Sequence, residues 1–422
     1  MKTLIKNCNI VNSKSDLMKQ FDILIEDKRI IKIAKNINAP YDNFIDAMGM
    51  YALPGLVDAH CHLREPGYEY KEDIASGALS AIHGGFTSIA CMPNTNPVVD
   101  NESLIEYIYK RSNEVGLSKV YPIAALSKNQ EGKQLTEIGI LNKAGAIAFS
   151  DDGNPVDSAS FMNKALIYAN TFDCLIISHC EDKSIVENGD INEGYMSTTL
   201  GLNGIPSPAE DVMVYRDVRL AEYTNSKIHI AHVSTRQSVE VVREAKKRGG
   251  KVTCETCPHY FTLTDKACDG FNTLAKVNPP LRNEDDVQAI KEGLKDGTID
   301  IIVTDHAPHH IDEKNVEFAY ASNGIVGFET AFSLAYTHLV KTNIITLSQL
   351  VEKMSYNPAK ILNIEVGKIE KGKIADLILV DLNKKYTIDI NKFKSKSKNS
   401  PFNGFEVYGE IKNVFVEGRK VI

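Results

Sequence analysis

The sequence predicts an α/β fold: a (β/α)8 TIM-like barrel with a small β-sandwich domain formed by both termini. Three observations predict this fold. Short, β-branched apolar runs recur eight times between residues 52 and 306, segments with helical periodicity separate them, and both ends of the chain carry short alternating strands instead. An open, doubly wound sheet seldom needs so many parallel strands, so we expect a closed barrel.

The eight runs share an apolar, β-like stretch followed by a polar break. They are LPGLVDAHCH ending at His62, TSIACMPN at Asn94, VYPIAAL at Leu126, GAIAFSDD at Asp152, CLIISHC at Cys180, IHIAHVS at Ser234, KVTCETCPH at His259 and IDIIVTDH at His306. The segments between them are amphipathic, and TRQSVEVVREAKKRGG also begins with a threonine cap and ends with glycines. Strand and helix therefore alternate along this part of the chain.

The two ends of the chain have a different pattern. Residues 1–51 and 364–422 contain alternating runs such as TLIKNCNIV and ADLILVDL, which turn residues separate. Neither end can build a full core alone. We therefore expect one composite β-sandwich domain from residues 1–51 and 364–422, beside a barrel domain of residues 52–363.

The composition argues against several classes of partner. Of the 422 residues, 43% are hydrophobic and 24% are charged, the formal net charge is −7, and no lysine-rich block stands apart. We therefore expect no nucleic-acid partner. The sequence has neither a secretory signal pattern nor a run of about 18 apolar residues, so we expect no membrane association and a cytoplasmic location.

The eight cysteines do not predict a disulfide framework. Several stand singly inside apolar runs, where buried free thiols are common, and this fits a reducing compartment. Cys254 and Cys257 form a C-x-x-C motif. Because no second pair completes a tetrahedral zinc site, a metal or redox role for this motif is disfavoured.

Imidazole and carboxylate groups are concentrated at the ends of the predicted strands, where the catalytic residues of such barrels gather. They are His60, His62, Asp152, His179, His232 and Asp305. Any one of them alone would more often be a hydrogen-bonded core residue or a helix cap. Six together favour a bound cation, because without one their burial would leave polar groups unpaired.

Side-chain alternation orders the histidines. His60 and His62 lie two residues apart on one strand, so both should point into the barrel mouth. His229 has an odd offset from His232, and we expect it to face the helix layer. We interpret His83 and His338 as structural as well.

Ordered motifs carry a resemblance along the whole chain. They are DAHCHLREPG at 58–67, GGFTSIACMPNTNP at 84–97, FSDDG at 149–153, SHCED at 178–182, HIAHVS at 229–234, CPHY at 257–260, NPPLR at 278–282, TDHAPH at 304–309 and GIVGFET at 324–330. Together they resemble the bacterial dihydroorotases of the longer class within the amidohydrolase superfamily. H-x-H alone would be weak, but H-L-R-x-P-G followed by M-P-N-T, N-P-P-L-R and D-H-A-P-H is specific.

The resemblance implies a site for one or two Zn²⁺ ions. His60, His62 and Asp305 would hold the first, and His179 and His232 the second. Many superfamily members bridge the ions with a carboxylated lysine, whereas this chain has Asp152, as this bacterial class does. Asp151 is the alternative in the doublet.

The implied reaction is the reversible cyclisation of N-carbamoyl-L-aspartate to L-dihydroorotate in de novo pyrimidine biosynthesis. Zinc would make hydroxide available at neutral pH, and Asp305 would act as general base and then general acid. The substrate-binding residues implied are His62, Arg64, Asn94, Asn278, His309, Asn323 and Gly324. The family usually has proline and phenylalanine where this chain has Ser322 and Asn323, which weakens the assignment of the backbone contact there.

Several alternatives stay open at this point. Dihydropyrimidinase, hydantoinase and allantoinase use the same barrel and metals, although Arg64 and the absent bridging lysine disfavour them. An inactive paralogue that scaffolds aspartate transcarbamoylase is another class, and the complete ligand set argues against it. Arg64 could instead pair with Glu65 or Asp58, and Asn94 could merely stabilise its turn. A homo-oligomer and an association with aspartate transcarbamoylase are both compatible with the sequence.

Overall fold

The computed structural model describes residues 1–13 and 18–422. Five strands come first: β1 (Lys2–Ile10), β2 (Met18–Glu26), β3 (Arg29–Ala34), β4 (Asn43–Asp46) and β5 (Tyr51–Pro54). β2 lies between β1 and β3 and pairs with both in antiparallel register, whereas β4 and β5 both pair with β1 in parallel.

The next strands alternate with helices. They are β6 (Leu56–Cys61), β7 (Phe86–Cys91), β8 (Lys119–Pro122), β9 (Phe149–Ser150), β10 (Ile176–Ser178), β11 (Ile191–Asn192), β12 (Gly204–Ile205), β13 (Ile228–Ile230), β14 (Val252–Thr256) and β15 (Ile301–Ile302). β11 and β12 form a separate parallel pair. The other eight make parallel ladders in the orders β6-β7-β8 and β9-β10-β13-β14-β15. Each predicted apolar run supplies one of these eight strands.

Single parallel bridges join these two ladders at both edges. Ala124, just after β8, bridges to Phe149 in β9, and Cys61 at the end of β6 bridges to His306 after β15. The amide of His62 also donates to the carbonyl of His306 at 2.8 Å. The ladder is not continuous, but the eight strands follow one another around a ring, and their carboxyl ends share one rim.

Fourteen α-helices are present in the described part of the chain. They are α1 (Ile74–His83), α2 (Glu102–Val115), α3 (Ile138–Ala144), α4 (Ala159–Thr171), α5 (Lys183–Val186), α6 (Tyr195–Leu200), α7 (Pro208–Thr224), α8 (Arg236–Lys247), α9 (Pro258–Thr262), α10 (Glu284–Asp296), α11 (Ile311–Lys314), α12 (Phe328–Ala335), α13 (Leu347–Val351) and α14 (Asn357–Ile361). Among the described residues, none of these helices is both long and apolar enough to cross a membrane.

Helix α8 illustrates how these helices form and pack. The Thr235 hydroxyl accepts from the amide of Ser238, a cap of the kind that stabilises a helix by about 1 kcal/mol. Val239 and Val242, at helical spacing, are buried in the same apolar cluster as Ile230 of β13. The sequence pattern of this segment therefore produces a helix with one face against the barrel strands.

The C-terminal strands join the N-terminal ones. β16 (Leu377–Thr387) pairs in antiparallel register with β5 on one side and with β17 (Glu406–Val416) on the other, and β18 (Arg419–Lys420) follows β17. The order is β18-β17-β16-β5-β1-β2-β3, with β4 beside β1. The prediction that both termini build one β structure is confirmed.

Side-chain alternation in β16 separates two cores. Leu377 and Leu379 belong to an apolar cluster shared with Ile5 and other residues of the N-terminal strands. Ile378 and Val380 belong to the cluster that contains the barrel strands and helices. One strand thus contributes to the core of the terminal sheet and to the core beneath it.

The first predicted barrel run, LPGLVDAHCH, is divided between the two regions. Leu53 and Pro54 pair with β16 in the terminal sheet, and Leu56 begins the barrel. Gly55 lies between them, where a Cβ would come within 2.2 Å of Thr87 Oγ1. The close approach of β7 therefore requires glycine at the point where the chain passes from sheet to barrel.

Candidate metal centre

The six predicted ligands lie at the carboxyl ends of five barrel strands, and all are buried. His60 is in β6 and His62 follows it, Asp152 follows β9, His179 follows β10, His232 follows β13, and Asp305 follows β15. The structure brings all six together. The ring centroids of His60 and His62 are 5.4 Å apart, as expected for residues that point the same way from one strand.

The carboxylate of Asp152 lies among four imidazoles. Its Oδ1 is 3.4 Å from His60 Nε2, 3.4 Å from His179 Nδ1 and 3.5 Å from His232 Nε2. Its Oδ2 is 3.5 Å from His62 Nε2. One carboxylate in this position is therefore within 3.5 Å of all four imidazole rings.

Asp305 closes the other side of the cluster. Its Oδ1 is 3.2 Å from His62 Nε2 and 3.6 Å from His60 Nε2. Two sets, His60 with His62 and Asp305, and His60 with Asp152 and His232, each offer three ligand atoms within 4.8 Å of one another. Imidazole nitrogen and carboxylate oxygen at such spacing are the donors that hydrolytic zinc sites use.

Two of these residues have strained backbones. His232 has φ +29° and Asp305 has φ +45°, which side chains other than glycine seldom adopt. His232 lies two residues beyond the end of β13, and Asp305 lies three residues beyond the end of β15. The positive φ at these two positions, and not the alternation of a strand, sets the direction of both side chains toward the common rim.

Several buried polar atoms of the cluster have no hydrogen-bond partner among the described residues: His60 Nε2, Asp152 Oδ1, His179 Nε2 and His232 Nδ1. Leaving such a group unsatisfied costs about 1–3 kcal/mol. Two of them, His60 Nε2 and Asp152 Oδ1, are among the atoms that face one another across the centre. The residues present thus fit a divalent cation, which would satisfy these atoms together.

The charges of the cluster are strongly coupled. Burial alone would lower the pKa of His60, but Asp152 and Glu255 raise it well above its usual value. Burial would raise the pKa of Asp152, but His60 and the neighbouring imidazoles hold it well below its usual range. Each of these two groups therefore favours the charged form of the other.

Glu255, in β14, orients the first of these ligands. Its Oε1 accepts from His60 Nδ1 at 2.6 Å, and its Oε2 accepts from His229 Nε2 at 2.9 Å. Fixing Nδ1–H in this way directs Nε2 of His60 to the centre. Glu255 was not among the residues predicted from the sequence, although a carboxylate inside the apolar run KVTCETCPH was the available signal.

His229 corrects one expectation. It was predicted to face the helices, but it is fully buried and contacts Glu255 within the barrel. β13 ends at Ile230, so strand alternation no longer relates His229 to His232. The odd number of residues between His229 and His232 was therefore the wrong basis for predicting where His229 points.

The aspartate doublet divides its roles. Asp151 Oδ1 accepts from the amides of Leu126 and Ser127 at 2.9 and 3.0 Å, and the Ser127 hydroxyl donates to its other oxygen. Burial raises the pKa of Asp151 to about 6. Asp151 thus fixes the chain after β8, whereas Asp152 enters the cluster.

Arg64 lies beside the centre in a left-handed conformation, with φ +64°. Its Nε donates to the carbonyl of Pro308 at 3.1 Å, and its terminal nitrogen is 3.3 Å from His309 Nε2. The alternative ion pairs are not formed: Glu65 binds Arg111 instead. The other carboxylate, Asp58, accepts from the amide and hydroxyl of Thr304.

Two predicted amides are also close to the centre. Asn94 Oδ1 accepts from His62 Nδ1 at 2.8 Å, so Asn94 orients a predicted ligand rather than only its own turn. Asn278 Nδ2 donates to Glu181 Oε1 at 3.0 Å, and the other oxygen of Glu181 is 3.6 Å from His179 Nε2.

The remaining predicted residues form one wall. His309 Nε2 donates to the carbonyl of Asn323 at 2.8 Å, and burial together with Arg64 and Lys71 lowers the pKa of His309 to about 3, so its ring is neutral. Gly324 has φ +129°, and a Cβ there would come within 2.6 Å of Ala307 Cβ. Glycine is therefore required at 324, although Ser322 and Asn323 depart from the family pattern.

A buried lysine holds this wall in place. Lys314 Nζ donates to the carbonyls of Ser322 at 2.7 Å, Gly324 at 3.2 Å and Lys276 at 3.3 Å. The amide of Gly324 donates to the same Lys276 carbonyl at 2.9 Å. Lys314 was not among the residues predicted from the sequence.

Comparisons with known sequences place the chain among dihydroorotases. A family model described as dihydro-orotase-like matches residues 49–238. A dihydroorotase from Acetivibrio thermocellus is 59% identical over 419 residues, covering 99% of this chain and 98% of its own length. A dihydroorotase from Ruminiclostridium cellulolyticum is 59% identical over 422 residues, covering 100% of this chain and 99% of its own.

Solved structures share the fold. The L-hydantoinase (dihydropyrimidinase) from Arthrobacter aurescens has a TM-score of 0.89 at 26% identity, covering 99% of this chain and 95% of that one. The dihydropyrimidinase from Brevibacillus agri has a TM-score of 0.86 at 25% identity, with 100% and 95% covered. The predicted fold class is thereby confirmed.

Proposed function

This chain belongs to the dihydroorotase family, and from that premise we propose that it is a cyclic amidohydrolase that interconverts N-carbamoyl-L-aspartate and L-dihydroorotate in de novo pyrimidine biosynthesis. One observation carries the proposal beyond family membership. A cluster of buried imidazoles and carboxylates with unpaired atoms lies directly beside Arg64, a cation suited to the substrate's carboxylate.

The metal in the proposal is Zn²⁺, one or two ions per chain. His60, His62 and Asp305 would hold the first ion, His179 and His232 the second, and Asp152 would contact both. The chemistry that zinc supplies when bound is Lewis acidity, which makes water more acidic and a carbonyl more electrophilic.

The chain's own residues move the proton. In ring opening, Asp305 accepts a proton from the attacking water and delivers it to the ring nitrogen that departs from the carbonyl carbon. In ring closure, the ureido nitrogen attacks the side-chain carboxyl carbon and water is lost, so Asp305 carries the proton in the opposite direction. Its Oδ1, 3.2 Å from His62 Nε2, is fixed at the edge of the cluster for this role.

Substrate binding is assigned to the wall beside the metals. Arg64, Asn94 and His309 would surround the ring carboxylate, Asn278 would contact the ring, and the backbone at Asn323 and Gly324 would complete the pocket. His62 links the proposed metal ligands to the proposed substrate-binding residues, because it contacts both Asp305 and Asn94.

A second candidate is a dihydropyrimidinase or hydantoinase, which the likeness to the solved structures favours. A ring substrate without a carboxylate would leave the Arg64 guanidinium without an anionic partner, and this disfavours such an activity here. An inactive scaffold is disfavoured because all six donors are present and converge.

An ultraviolet assay of ring opening with zinc-loaded and chelated protein tests the proposal. We expect turnover of dihydroorotate by the loaded protein, loss of turnover on chelation, and recovery when zinc is returned. A zinc-loaded protein that does not open dihydroorotate would refute the function. Retained turnover after complete metal removal would refute the cofactor.

Location, domain bounds and assembly are further predictions. A cytoplasmic location, the barrel domain at residues 52–363 and the composite domain at 1–51 and 364–422 stay predictions. So do a homo-oligomer, an association with aspartate transcarbamoylase and the absence of a nucleic-acid partner. Sedimentation of the chain alone and with the transcarbamoylase would test both assemblies.

A further inference from the structure

The two cysteines of the C-x-x-C motif are separated by the fold. Cys254 lies in β14 within the apolar cluster of the barrel strands and helices, and its Sγ is 3.4 Å from the carbonyl of Thr298. Cys257 belongs to a different cluster, with Ala59 and Val303. The two thiols therefore do not act as a pair, and each has its own surroundings.

Cys257 has the metal centre as its neighbour. Cys257, His259 and Asp305 offer one sulfur, one nitrogen and one oxygen, all within 4.8 Å of one another. The three residues are buried, with exposed fractions of 0%, 2% and 8%. This donor set shares only Asp305 with the sets described above.

A second observation points to a ligand at this place. His259 Nε2 is buried and has no hydrogen-bond partner in residues 1–13 and 18–422. An unpaired imidazole beside a thiol and a carboxylate is what a borderline or soft cation would satisfy.

We propose that Cys257, His259 and Asp305 form a third, inhibitory cation site that prefers thiophilic divalent ions such as Cd²⁺. Sulfur makes this site softer than the nitrogen and oxygen cluster beside it, so such ions favour it over the catalytic positions. Binding converts the Cys257 thiol to a thiolate and releases one proton to solvent. The occupied site withdraws Asp305 from proton transfer, and turnover stops.

The inhibitory consequence rests on the proposed function, because it needs Asp305 as the proton carrier. The binding itself does not. Cd²⁺ bound by a thiolate absorbs in the ultraviolet through charge transfer from sulfur to metal, and this signal is independent of catalysis. The two parts can therefore fail separately.

The test is a titration of the zinc-loaded enzyme with CdCl₂. It follows thiolate absorption, cadmium and zinc bound per chain, and ring opening in the same samples. Cys257→Ala is the test variant and Cys254→Ala the matched control, because both cysteines are fully buried in β14 and its continuation. Cys257→Ser keeps the volume and hydrogen bonding of the thiol more closely, and it serves if the alanine variant folds poorly.

We expect the unaltered enzyme and Cys254→Ala to gain the thiolate band and one Cd²⁺ per chain while keeping their zinc. Cys257→Ala or Cys257→Ser should lose the band and need about tenfold more Cd²⁺ for half inhibition. A band that persists without Cys257, or cadmium that merely replaces zinc equally in all proteins, would overturn the site. A Cys257-dependent band in a protein without dihydroorotase activity would keep the site and refute the function.

Discussion

The two sides of the candidate site differ in how their polar atoms are satisfied. On the metal side, His60 Nε2 and Asp152 Oδ1 are buried without hydrogen-bond partners among the described residues. On the substrate side, Arg64 donates to the Pro308 carbonyl, and His309 donates to the Asn323 carbonyl. The first side is incomplete without a cation, whereas the second is already held by the protein.

This difference predicts a ranking of effects. Substitutions on the metal side should abolish turnover or lower metal occupancy, because no other protein group can replace the ligand that is removed. Changes on the substrate side should alter selectivity and affinity, because the surrounding hydrogen bonds keep the wall in place. Changes behind that wall should have smaller effects, which act through position alone.

The largest effect should come from Asp305→Asn. Asparagine fills the same volume but cannot accept and relay the proton, so turnover should fall by at least the factor of about 100–10,000 typical of general acid–base catalysis. The measurement is kcat for ring opening, with zinc content and melting temperature as controls. Near-normal turnover in a folded, zinc-loaded variant would contradict the role of Asp305.

Asp152→Asn should lower occupancy of the second zinc more than that of the first. His60, His62 and Asp305 still hold the first ion, whereas the second loses its shared carboxylate. Metal analysis after dialysis should show that the second site loses more zinc affinity than the roughly 10- to 100-fold that is typical when a residue hydrogen-bonded to a metal ligand is removed. Asp151→Asn is the matched control, because the Asp151 carboxylate accepts from Leu126 and Ser127, away from the imidazole cluster. The reverse order would mean that the doublet has been misassigned.

Arg64→Met should test the substrate side. We expect it to lower kcat/KM for dihydroorotate by about 2–4 kcal/mol of transition-state binding, and to change activity on dihydrouracil far less. The comparison requires matched zinc content, since a disturbed metal site would reduce both activities. Equal losses on both substrates, or an unaltered enzyme that opens dihydrouracil as well as dihydroorotate, would favour the dihydropyrimidinase alternative.

Lys314→Met should have the smallest effect on catalysis. It removes the donor to the Ser322 and Gly324 carbonyls, so KM should rise several-fold, about 1 kcal/mol, with zinc content unchanged. A fall in kcat at unchanged KM would place Lys314 in the chemistry instead of behind the wall.

The same lysine predicts a pH dependence of stability. Burial, and to a smaller extent the charge of Lys276, lowers the pKa of Lys314 to about 7 in the folded protein. The pKa of a lysine in the unfolded chain is about 10.4. Between these two pH values the unfolded chain binds more protons than the folded protein. The free-energy cost of burying Lys314 therefore decreases as pH rises, and the folded state becomes more stable. The melting temperature of the unaltered protein relative to Lys314→Met should therefore increase from pH 7 to pH 9. A constant difference would contradict the lowered pKa.

The sequence could predict what depends on local periodicity. Apolar runs located the eight barrel strands, and the two-residue spacing of His60 and His62 placed both rings at the same rim. The convergence of strand ends in a barrel then brought Asp152 and Asp305 to them. These inferences needed only alternation and the direction of parallel strands.

The rest depends on packing that no single run contains. Glu255 is linked to His60 and His229 across three strands, and β13 ends before alternation can relate His229 to His232. Lys314 acts on carbonyls that the backbone brings to it from separate segments. Such contacts follow from tertiary structure, and residue type or spacing alone does not specify them.

The terminal sheet has a consequence for synthesis on the ribosome. β5 pairs with β16, and about 320 residues of chain, including the whole ring of barrel strands, must be made between them. Until β16 emerges, that side of β5 has no partner strand, and an unpaired edge invites pairing with another chain. β16 therefore protects β5, and a nascent chain halted before residue 377 would expose this unpaired strand edge to neighbouring nascent chains on the same messenger RNA.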